Sequence, residues 1–435
     1  PPPRTPACHA SRSLVTSIDL RTASGRCATR SGNTGCSGNR LYVNEGDGKF
    51  RDRTDQYGLR DKMRLGQKVV SADWDSKTAS WTVVTESADG KKGSVQGRFL
   101  FLGSGYYDYD NGFTPDIPGT DQFKGRIVHP QKWTDDIDTK GKNVVVIGSG
   151  ATAVTLVPEI AKDAAHVTML QRSPTYVVSR PAEDAMANWM RAKLPAMLAY
   201  RLTRWRNVLG GMYFFRMCRR QPDVVKKMIV DGVRAALGKD YDVETHFTPR
   251  YNPWDQRLCL VPDADLFNAI REKKAEVVTD QIETFTPTGI KLKSGKELPA
   301  DIVVTATGLN LVVLGGASFT VDGKPVDLPR TFNYKGMMYS GVPNMASVFG
   351  YTNASWTLKA DLTCEYVCKL LNHMDMMAYA QATPRLTDPD VKAEPWLDFS
   401  SGYVQRSIAN FPKQGSKKPW RINQNYALDI FAMRM

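Results

Sequence analysis

Residues 143–170 carry the feature that most constrains how this chain can fold. Asn143–Ile147 reads NVVVI, an unbroken apolar run typical of a parallel strand that is covered on both faces. Gly148-Ser149-Gly150 follows at once, and a helical stretch to about Ala161 leads to a second apolar run from His166 to Leu170. Strand, glycine turn, helix and strand in this order predict a βαβ unit and an α/β fold.

The glycine turn has the pattern GxGxxA, and it stands after an apolar strand and opens a helix, as a dinucleotide-binding turn requires. The first glycine permits a tight turn, and the second lets backbone N–H groups approach a pyrophosphate at the helix N-terminus. We therefore predict nucleotide contacts from Gly148, Ser149, Gly150, Ala151, Thr152 and Ala153. The alternative is a glycine turn without a ligand.

The end of the second strand indicates which nucleotide binds. An NAD-preferring site places an acidic residue there to hold the ribose 2′-hydroxyl, whereas this chain has Gln171-Arg172-Ser173. A neutral amide and a guanidinium suit a 2′-phosphate. We therefore predict that Arg172 and Ser173 contact the nucleotide and that NADPH is preferred over NADH.

The flanking regions predict short strands and one helical segment. Strands are expected at Lys68–Trp74, Trp81–Thr85, Phe99–Leu102, Glu276–Thr279, Ile290–Lys293 and Asp301–Thr305. Residues 181–239 have a helical pattern, with one apolar stripe formed by Leu194, Met197, Leu198, Leu202, Trp205 and Leu209. The favoured interpretation is an amphipathic helix packed on the domain, and the alternative is docking on a membrane.

The amount and distribution of charge indicate which classes of binding partner to expect. The chain has 58 Lys and Arg against 45 Asp and Glu, a formal net charge of +13 that is concentrated in residues 1–40 and 181–240. These basic residues are not organised around aromatic residues or in a known module, so nucleic-acid binding is not expected. Weak contact of residues 181–240 with a membrane surface or an anionic substrate stays open. No apolar run reaches the roughly 18 residues of a membrane span.

Residues 1–41 are rich in Pro, Ser, Thr, Gly and Arg and show no periodicity, so no domain is assigned to them. A fragment, a frame error or a mis-joined gene is the favoured explanation, ahead of an organelle transit peptide. The seven cysteines are scattered without a CxxC pair, which favours a reducing compartment and hence a cytoplasmic location. No metal site is predicted.

A further motif, FxGxxxHxxxW, lies just ahead of the glycine turn and is formed by Phe123, Gly125, His129 and Trp133. This motif resembles the fingerprint of Baeyer–Villiger monooxygenases, and it also precedes the NADPH turn in that family. Further segments, including Met169–Tyr176, Tyr251–Pro262 and Tyr351–Asp361, are similar to the EthA-type branch of these flavin-dependent enzymes. The resemblance covers roughly residues 55–430.

The resemblance implies two Rossmann-like dinucleotide-binding domains, one for FAD and one for NADPH. Residues 42–140, with the fingerprint, and residues 311–435 would form the FAD domain. Residues 141–310 would form the NADPH domain, with a helical insertion at 181–245.

The resemblance also implies a chemistry. NADPH would reduce FAD, and O2 would add to the reduced flavin as a C4a-peroxyflavin that oxidises a ketone or a soft sulfur or nitrogen atom. The family places an arginine in the segment that here contains Arg257, where a fixed cation would stabilise negative charge. Two small-residue turns would approach the cofactors, and they contribute Ala306, Thr307, Gly308, Asn353 and Trp356.

One part of the family pattern is missing. The first βαβ unit of the family carries a GxGxxG for the FAD pyrophosphate, and no such turn stands before residue 100, as if this unit were absent or scrambled. The favoured function is an NADPH- and FAD-dependent monooxygenase. The alternative is a catalytically impaired or dead remnant that binds NADP(H) but not FAD.

Overall fold

A computed structural model describes residues 42–44, 50–52, 62–397 and 399–434 of the chain. The missing flavin motif and the composition of residues 1–41 concern residues outside this described part. The strands in the N-terminal part of the described chain are β1 (Tyr42–Asn44), β2 (Phe50–Asp52), β3 (Gln67–Asp75), β4 (Ser80–Ser87), β5 (Lys92–Gly97), β6 (Leu100–Leu102), β7 (Tyr107–Gly112), β8 (Arg126–Val128) and β9 (Asn143–Ile147).

Helices and strands alternate through the middle of the chain. These elements are α1 (Ala151–Ile160), β10 (His166–Gln171), β11 (Val177–Arg180), α2 (Ala185–Lys193), α3 (Ala196–Arg220), α4 (Pro222–Leu237), α5 (Val243–Phe247), β12 (Cys259–Pro262), α6 (Asp265–Arg271), β13 (Ala275–Thr279), β14 (Ile282–Thr286), β15 (Gly289–Leu292), β16 (Glu297–Pro299) and β17 (Ile302–Thr305).

The C-terminal part contains short strands and a long helix. Its elements are β18 (Leu309–Leu311), β19 (Ser318–Val321), β20 (Lys324–Pro325), β21 (Asn333–Tyr334), β22 (Met338–Tyr339), β23 (Met345–Ser347), α7 (Trp356–Met376), β24 (Ala393–Pro395), α8 (Gly402–Gln405), β25 (Lys413–Gly415) and α9 (Tyr426–Arg434).

A five-stranded parallel sheet organises the middle of the chain in the order β13-β10-β9-β17-β8. The apolar run that the sequence predicts as a strand is β9, with the expected bounds. Its side chains alternate between two cores. Val144 and Val146 pack with helices α1 and α6, whereas Val145 and Ile147 pack with Phe285 and Ile290 of the sheet β14-β15-β16. Strand β9 is therefore covered on both faces, which explains why it has no polar interior position.

A second body forms from both ends of the described chain. Its mixed sheet has the order β20-β19-β3-β4-β5, and Trp74 and Trp81 lie in its core with ring centroids 5.6 Å apart. Strands β6 and β23 pair in parallel beside it, and helices α7 and α9 pack together. Among the described residues, those of 62–112 and those after 308 thus share a body, with the parallel sheet inserted between them in the chain.

The chain passes between the two bodies twice, and the two strands at these crossings pair with each other. Strand β7 runs antiparallel to β18, with Leu309 opposite Gly112 and Leu311 opposite Tyr107. Strand β8, which the sequence-based boundary at residue 140 assigns to the FAD domain, bonds to β17 in the parallel sheet. We propose that the domain boundaries lie at this β7–β18 ribbon.

The helical insertion consists of α2, α3, α4 and α5, and the predicted apolar stripe lies on the first turns of α3 and just before it. Leu194 and Met197 are partly buried, but Leu198, Leu202, Trp205 and Leu209 are 42–55% exposed. The expectation that the stripe packs on the domain is wrong for these four residues, because α3 packs through Ala199, Val208 and Cys218 instead. None of the helices in the described part of the chain has the length and apolar composition needed to cross a membrane.

A buried ion pair joins α7 to α9. The Lys359 ammonium lies 2.7 Å from the Asp429 carboxylate, and both side chains are less than 5% exposed. Tyr351 and Asn423 donate hydrogen bonds to the two oxygens of Asp429, at 2.7 and 3.1 Å. Burial lowers the pKa of Lys359, and the adjacent Asp429 carboxylate opposes that shift. The charges are stable here because each one is paired and hydrogen-bonded.

Removing one partner of this pair tests its contribution. We expect Asp429→Asn to lower the free energy of unfolding by about 3–5 kcal/mol, because Lys359 would remain buried without a countercharge. Urea unfolding followed by circular dichroism measures this loss. Lys369→Met, which removes an exposed pair with Glu365, is the matched control and should cost less than about 0.5 kcal/mol. Equal losses in the two variants would contradict this account.

Candidate functional site

The glycine turn follows β9, at the point where the strand order of the parallel sheet reverses, since β10 lies on one side of β9 and β17 on the other. Gly148 has φ 136° and donates its N–H to the Leu170 carbonyl at 2.8 Å. A Cβ added at Gly148 would lie 2.4 Å from the Ala306 carbonyl oxygen, just after β17. Only glycine fits this position, and the crevice at such a point is where α/β sheets bind nucleotides.

The N-terminus of α1 is open to a ligand. Gly150 is its N-cap and provides no side-chain hydrogen bond, and the first turn has no acidic residue. A Cβ at Gly150 would meet nothing within 4 Å, so backbone N–H groups are accessible there. Ala151 and Thr152 are exposed, whereas Ala153 is fully buried between helix and sheet. These unsatisfied N–H groups form a site for an anion.

Hydrogen bonds from side chains stabilise the backbone of the glycine turn. The Ser149 hydroxyl lies 2.9 Å from the Thr175 hydroxyl and donates to the Ser173 carbonyl at 3.2 Å. The Cys259 thiol donates to the Ser149 carbonyl at 3.8 Å, and burial raises the pKa of this thiol to about 12. Cys259 therefore stays protonated and acts as a donor that supports the turn.

Arg172 and Ser173 are both exposed directly after β10, beside the turn. Gln171, by contrast, is 2% exposed, and its amide donates to the His246 carbonyl and the Thr279 hydroxyl, both at 2.8 Å. The amide that the sequence suggested as a partner for a 2′-phosphate is thus occupied by the fold. Arg172 remains as the cation at this strand end.

The fingerprint residues hold the two crossings together. His129 Nε2 lies 3.2 Å from the Gly308 carbonyl, which also accepts the Phe113 N–H at 3.1 Å. A Cβ at Gly112 would lie 2.1 Å from the His129 ring, so the ring rests directly on that glycine. The histidine therefore links one crossing to the other.

The other three fingerprint residues pack. A Cβ at Gly125 would lie 2.4 Å from the Asp301 carbonyl oxygen and 2.5 Å from the Phe123 ring. Phe123 contacts Phe285 edge to face at 5.6 Å, and Trp133 packs against the core beneath α1. The motif therefore helps to position β17. Its residues would affect a cofactor indirectly, through the position of that strand.

The linker Ala306-Thr307-Gly308 continues from β17 into the second body. The Thr307 hydroxyl donates to the Phe113 carbonyl at 2.6 Å. Gly308 has φ 116°, and a Cβ there would lie 3.7 Å from the Arg406 guanidinium and 4.0 Å from Tyr403. Arg406 lies over the Phe113 ring at 3.5 Å. The linker thus runs from the glycine turn to the C-terminal residues around α8.

An aromatic pocket lies beyond this linker. Trp356 stacks on Tyr106 at 5.1 Å and packs against Phe349 at 5.0 Å, and a Cβ at Gly350 would overlap the Trp356 ring. Burial strongly raises the pKa of Tyr106, so its phenol stays protonated. The pocket is lined by Tyr106, Arg257, Phe349, Thr352, Trp356, Leu397, Phe399, Tyr403 and Val404.

Arg257 contributes the positive charge of this pocket. Its guanidinium lowers the pKa values of Tyr106 and Tyr403, against the larger effect of burial, so it faces both phenols. Among the residues that the structure describes, none forms an ion pair or a hydrogen bond with this guanidinium. The pocket therefore combines aromatic walls with a solvent-exposed cation that has no countercharge within the described part of the chain.

The loop at 351–353 is fixed by the C-terminal segment. The Thr352 N–H and hydroxyl both donate to the Gln424 side-chain oxygen, at 3.1 and 3.2 Å, and the Asn353 amide donates to the Gln424 carbonyl at 2.9 Å. Sequence reasoning identified Asn353 and Trp356 here but missed Tyr106, Tyr403 and Gln424. Tyr106 lies within a segment that resembles the family, which was the available signal, whereas nothing in the local sequence marks Gln424.

A nucleotide-type sheet with a glycine turn at its crevice, inserted into a second body by paired linkers, is the architecture of the two-domain dinucleotide-binding oxidoreductases. Residues 55–208 match the family model described as flavin-binding monooxygenase-like. The FAD-containing monooxygenase EthA of Mycobacterium tuberculosis is 53% identical over 379 residues, 87% of this chain and 77% of the relative. The chain therefore belongs to the flavin-dependent monooxygenases, in their EthA-type branch, and the predicted family is confirmed.

Further comparisons agree. The probable FAD-binding monooxygenase AlmA of Acinetobacter baylyi is 46% identical over 389 residues, 89% of this chain and 78% of the relative. An oxidised steroid monooxygenase bound to NADP superposes with a TM-score of 0.64 at 20% identity, covering 88% of this chain and 80% of that one. An open structure of cyclohexanone monooxygenase gives a TM-score of 0.65 at 16% identity with the same coverage. These solved structures confirm the predicted α/β fold with two dinucleotide-binding domains.

The two glycines of the turn should respond differently to alanine. Gly148→Ala should lower the melting temperature, because the added Cβ meets the Ala306 carbonyl and the backbone strain costs about 1–3 kcal/mol. Gly150→Ala should melt like the wild type, since the space at its Cβ is open, but should weaken NADPH binding by filling the approach to the turn. Thermal melts and NADPH titrations measure both effects. Full NADPH affinity in Gly150→Ala would contradict a ligand at this turn.

Proposed function

We propose that this chain is an NADPH- and FAD-dependent monooxygenase that transfers one oxygen atom of O2 to a ketone or to a soft sulfur or nitrogen atom. The observation that carries the proposal is the linker Ala306-Thr307-Gly308. Its first residue lies against Gly148 of the glycine turn, and its last lies beside Tyr403 of the aromatic pocket. One short segment thus joins a nucleotide-type turn to a pocket that is lined by Arg257.

NADPH would bind at the end of the parallel sheet. The uncapped first turn of α1, from Gly148 to Ala153, would hold the pyrophosphate on its backbone N–H groups. Arg172 and Ser173 would hold the 2′-phosphate, because both are exposed at the end of β10 and Gln171 is not available. The Arg172 guanidinium can pair with a phosphate through two hydrogen bonds.

FAD would bind in the second body, beside the pocket and the linker. Trp254 and Trp396 pack in the aromatic cluster around the pocket, and their ring N–H groups are buried with no partner in the described part of the chain. Buried donors of this kind require a partner, which a bound polar group would supply. Ala306, Thr307, Gly308, Asn353 and Trp356 would line this ligand. When bound, FAD would supply the chemistry that activates O2, with its reducing electrons coming from NADPH.

Arg257 would be the catalytic residue. Oxygen transfer builds negative charge near the reacting atoms, and a cation placed beside those atoms would stabilise that charge. Arg257 lines the pocket together with Tyr106 and Trp356, although its side chain is also exposed to solvent. One oxygen atom would enter the product and the other would leave as water, with the two electrons supplied by NADPH.

Tight binding of both nucleotides separates this function from the alternative of an NADP(H)-binding remnant. Ketones and soft sulfur compounds remain the proposed substrates, since the apolar pocket suits small uncharged molecules. Contact of residues 181–240 with a membrane surface is a separate proposal, because it depends on neither nucleotide.

The choice of nucleotide is tested at Arg172. We expect Arg172→Ala to weaken NADPH binding by about 10- to 100-fold while NADH binding stays unchanged, since a charge-assisted contact to the 2′-phosphate is lost. Fluorescence titration with each nucleotide measures the ratio. Arg271→Ala, an exposed arginine on α6, is the control and should change neither affinity. An unaltered NADPH preference in Arg172→Ala would remove this assignment.

The oxygenation chemistry is tested at Arg257 in protein purified with added FAD. Bound FAD should give the absorbance of an oxidised flavin, and colourless protein that still binds NADPH would favour the remnant. We expect Arg257→Ala to reduce oxygenated product by about 100-fold with a thioether substrate, because charge stabilisation is lost.

NADPH oxidation should continue in Arg257→Ala, with hydrogen peroxide as the product. The exposed Arg250, on the same loop, provides the control variant Arg250→Ala, which should keep the wild-type yield. Gas chromatography of the sulfoxide and a peroxide assay give the two yields. A wild-type product yield in Arg257→Ala would rule out the catalytic role.

A further inference from the structure

Helix α3 has an apolar face whose side chains are largely exposed, with Trp205 also in contact with Tyr426 at 6.0 Å between ring centroids. The face consists of Leu198, Leu202, Trp205, Leu209 and Tyr213, which are 42–67% exposed. Their spacing of three or four residues places them on one stripe of the helix. The stripe extends for about 22 Å along the helix at 1.5 Å per residue. We call these five residues the α3 face.

Neighbouring residues enlarge the α3 face. Met186 and Trp189 of the adjoining helix α2 are 54% and 56% exposed. Single exposed apolar side chains are ordinary, but a contiguous group of this kind marks an interaction surface on a folded protein. The buried contacts of α3 are made from its other sides by Ala199, Val208 and Cys218, so most of the apolar side chains on this face are left exposed.

The charged residues of helix α3 itself all have one sign. Residues 196–220 contain six arginines and no Asp or Glu. Arg201 and Arg206 follow the stripe on its two sides, and Arg216 is exposed at its C-terminal end. Within the described chain, Arg206 pairs with Asp184 and Arg219 with Asp255, so countercharges lie beside the helix and not on it. The result is an apolar strip with a basic rim.

We propose that the α3 face docks on the surface of an anionic lipid bilayer. A helix that has large apolar side chains on one face and arginines at its edges lies in the plane of a membrane interface. The apolar side chains enter the boundary of the acyl chains, and each arginine is attracted by the negative surface potential. The helix lies on the membrane, because its opposite side is buried in the protein.

A second copy of this chain fits the α3 face less well. A two-fold contact would bring identical surfaces together, so the two arginine rims would face each other with no acidic residue from α3 between them. An anionic surface supplies the missing negative charge. The proposal is independent of the proposed catalytic function, since it uses no residue of either nucleotide site.

Cosedimentation of the full chain with vesicles tests the proposal. We expect binding to vesicles made of equal parts phosphatidylglycerol and phosphatidylcholine, weak binding to phosphatidylcholine alone, and release as salt is raised. Replacing two arginines, as in Arg201→Gln with Arg216→Gln, should weaken binding by about fivefold for each charge. Equal binding to both kinds of vesicle would overturn the electrostatic part of the proposal.

The apolar part is tested by Leu202→Glu with Leu209→Glu, which should weaken vesicle binding by at least about tenfold because two leucines no longer enter the bilayer. Both positions are exposed, so the melting temperature and NADPH affinity should stay unchanged. Met376→Glu is the matched control: Met376 is 74% exposed on α7, about 22 Å along that helix from Asp361, which α3 contacts.

Two results would overturn the proposal. One is vesicle binding of Leu202→Glu with Leu209→Glu that equals the wild type. The other is a wild-type dimer in light scattering that this variant converts to a monomer, with no vesicle binding by either protein, since the α3 face would then be an interface between copies of the chain.

Discussion

The close contact between Gly148 and the Ala306 carbonyl is the constraint on which the rest of this structure depends. It brings the ends of β9 and β17 together, and the phosphate turn leaves one strand as the interdomain linker leaves the other. His129 then holds the linker at Gly308, against the first crossing at Gly112. A shift at this contact would move the turn and the linker together, so it would displace both proposed nucleotide sites at the same time.

The parts of the fold that follow from local pattern could be predicted from the sequence. The βαβ unit at 143–171 was predicted closely because a doubly covered strand has no polar interior position and a glycine turn has few structural alternatives. The stripe on α3 was located correctly, but periodicity shows only that a helix has an apolar face and not what covers it. The sequence did not reveal that the Gln171 amide is occupied, because its partners, His246 and Thr279, are distant in sequence.

The polar contacts behind the aromatic pocket could not be predicted for the same reason. Lys359 and Asp429 are 70 residues apart, and each would be an ordinary exposed residue in its own segment. Together with Gln424 they fix residues 351–353, which border the pocket. The pocket wall is thus supported by Gln424 and Asp429, although neither of these residues lines the pocket. A sequence motif describes residues that are close together in the chain, whereas these hydrogen bonds and this ion pair join residues that are far apart in sequence.

Helix α3 is also coupled to the loop that carries Arg257. Phe215 of α3 packs edge to face on Trp254 at 5.7 Å, and Arg219 pairs with Asp255 at 2.7 Å. These contacts lie two and three residues before Arg257, on a loop whose Trp254 has a positive φ. These contacts connect α3 directly to the loop that carries the proposed catalytic residue. Docking of α3 on a membrane would hold that loop, and with it the wall of the pocket, close to the lipid phase in which apolar ketones and thioethers concentrate.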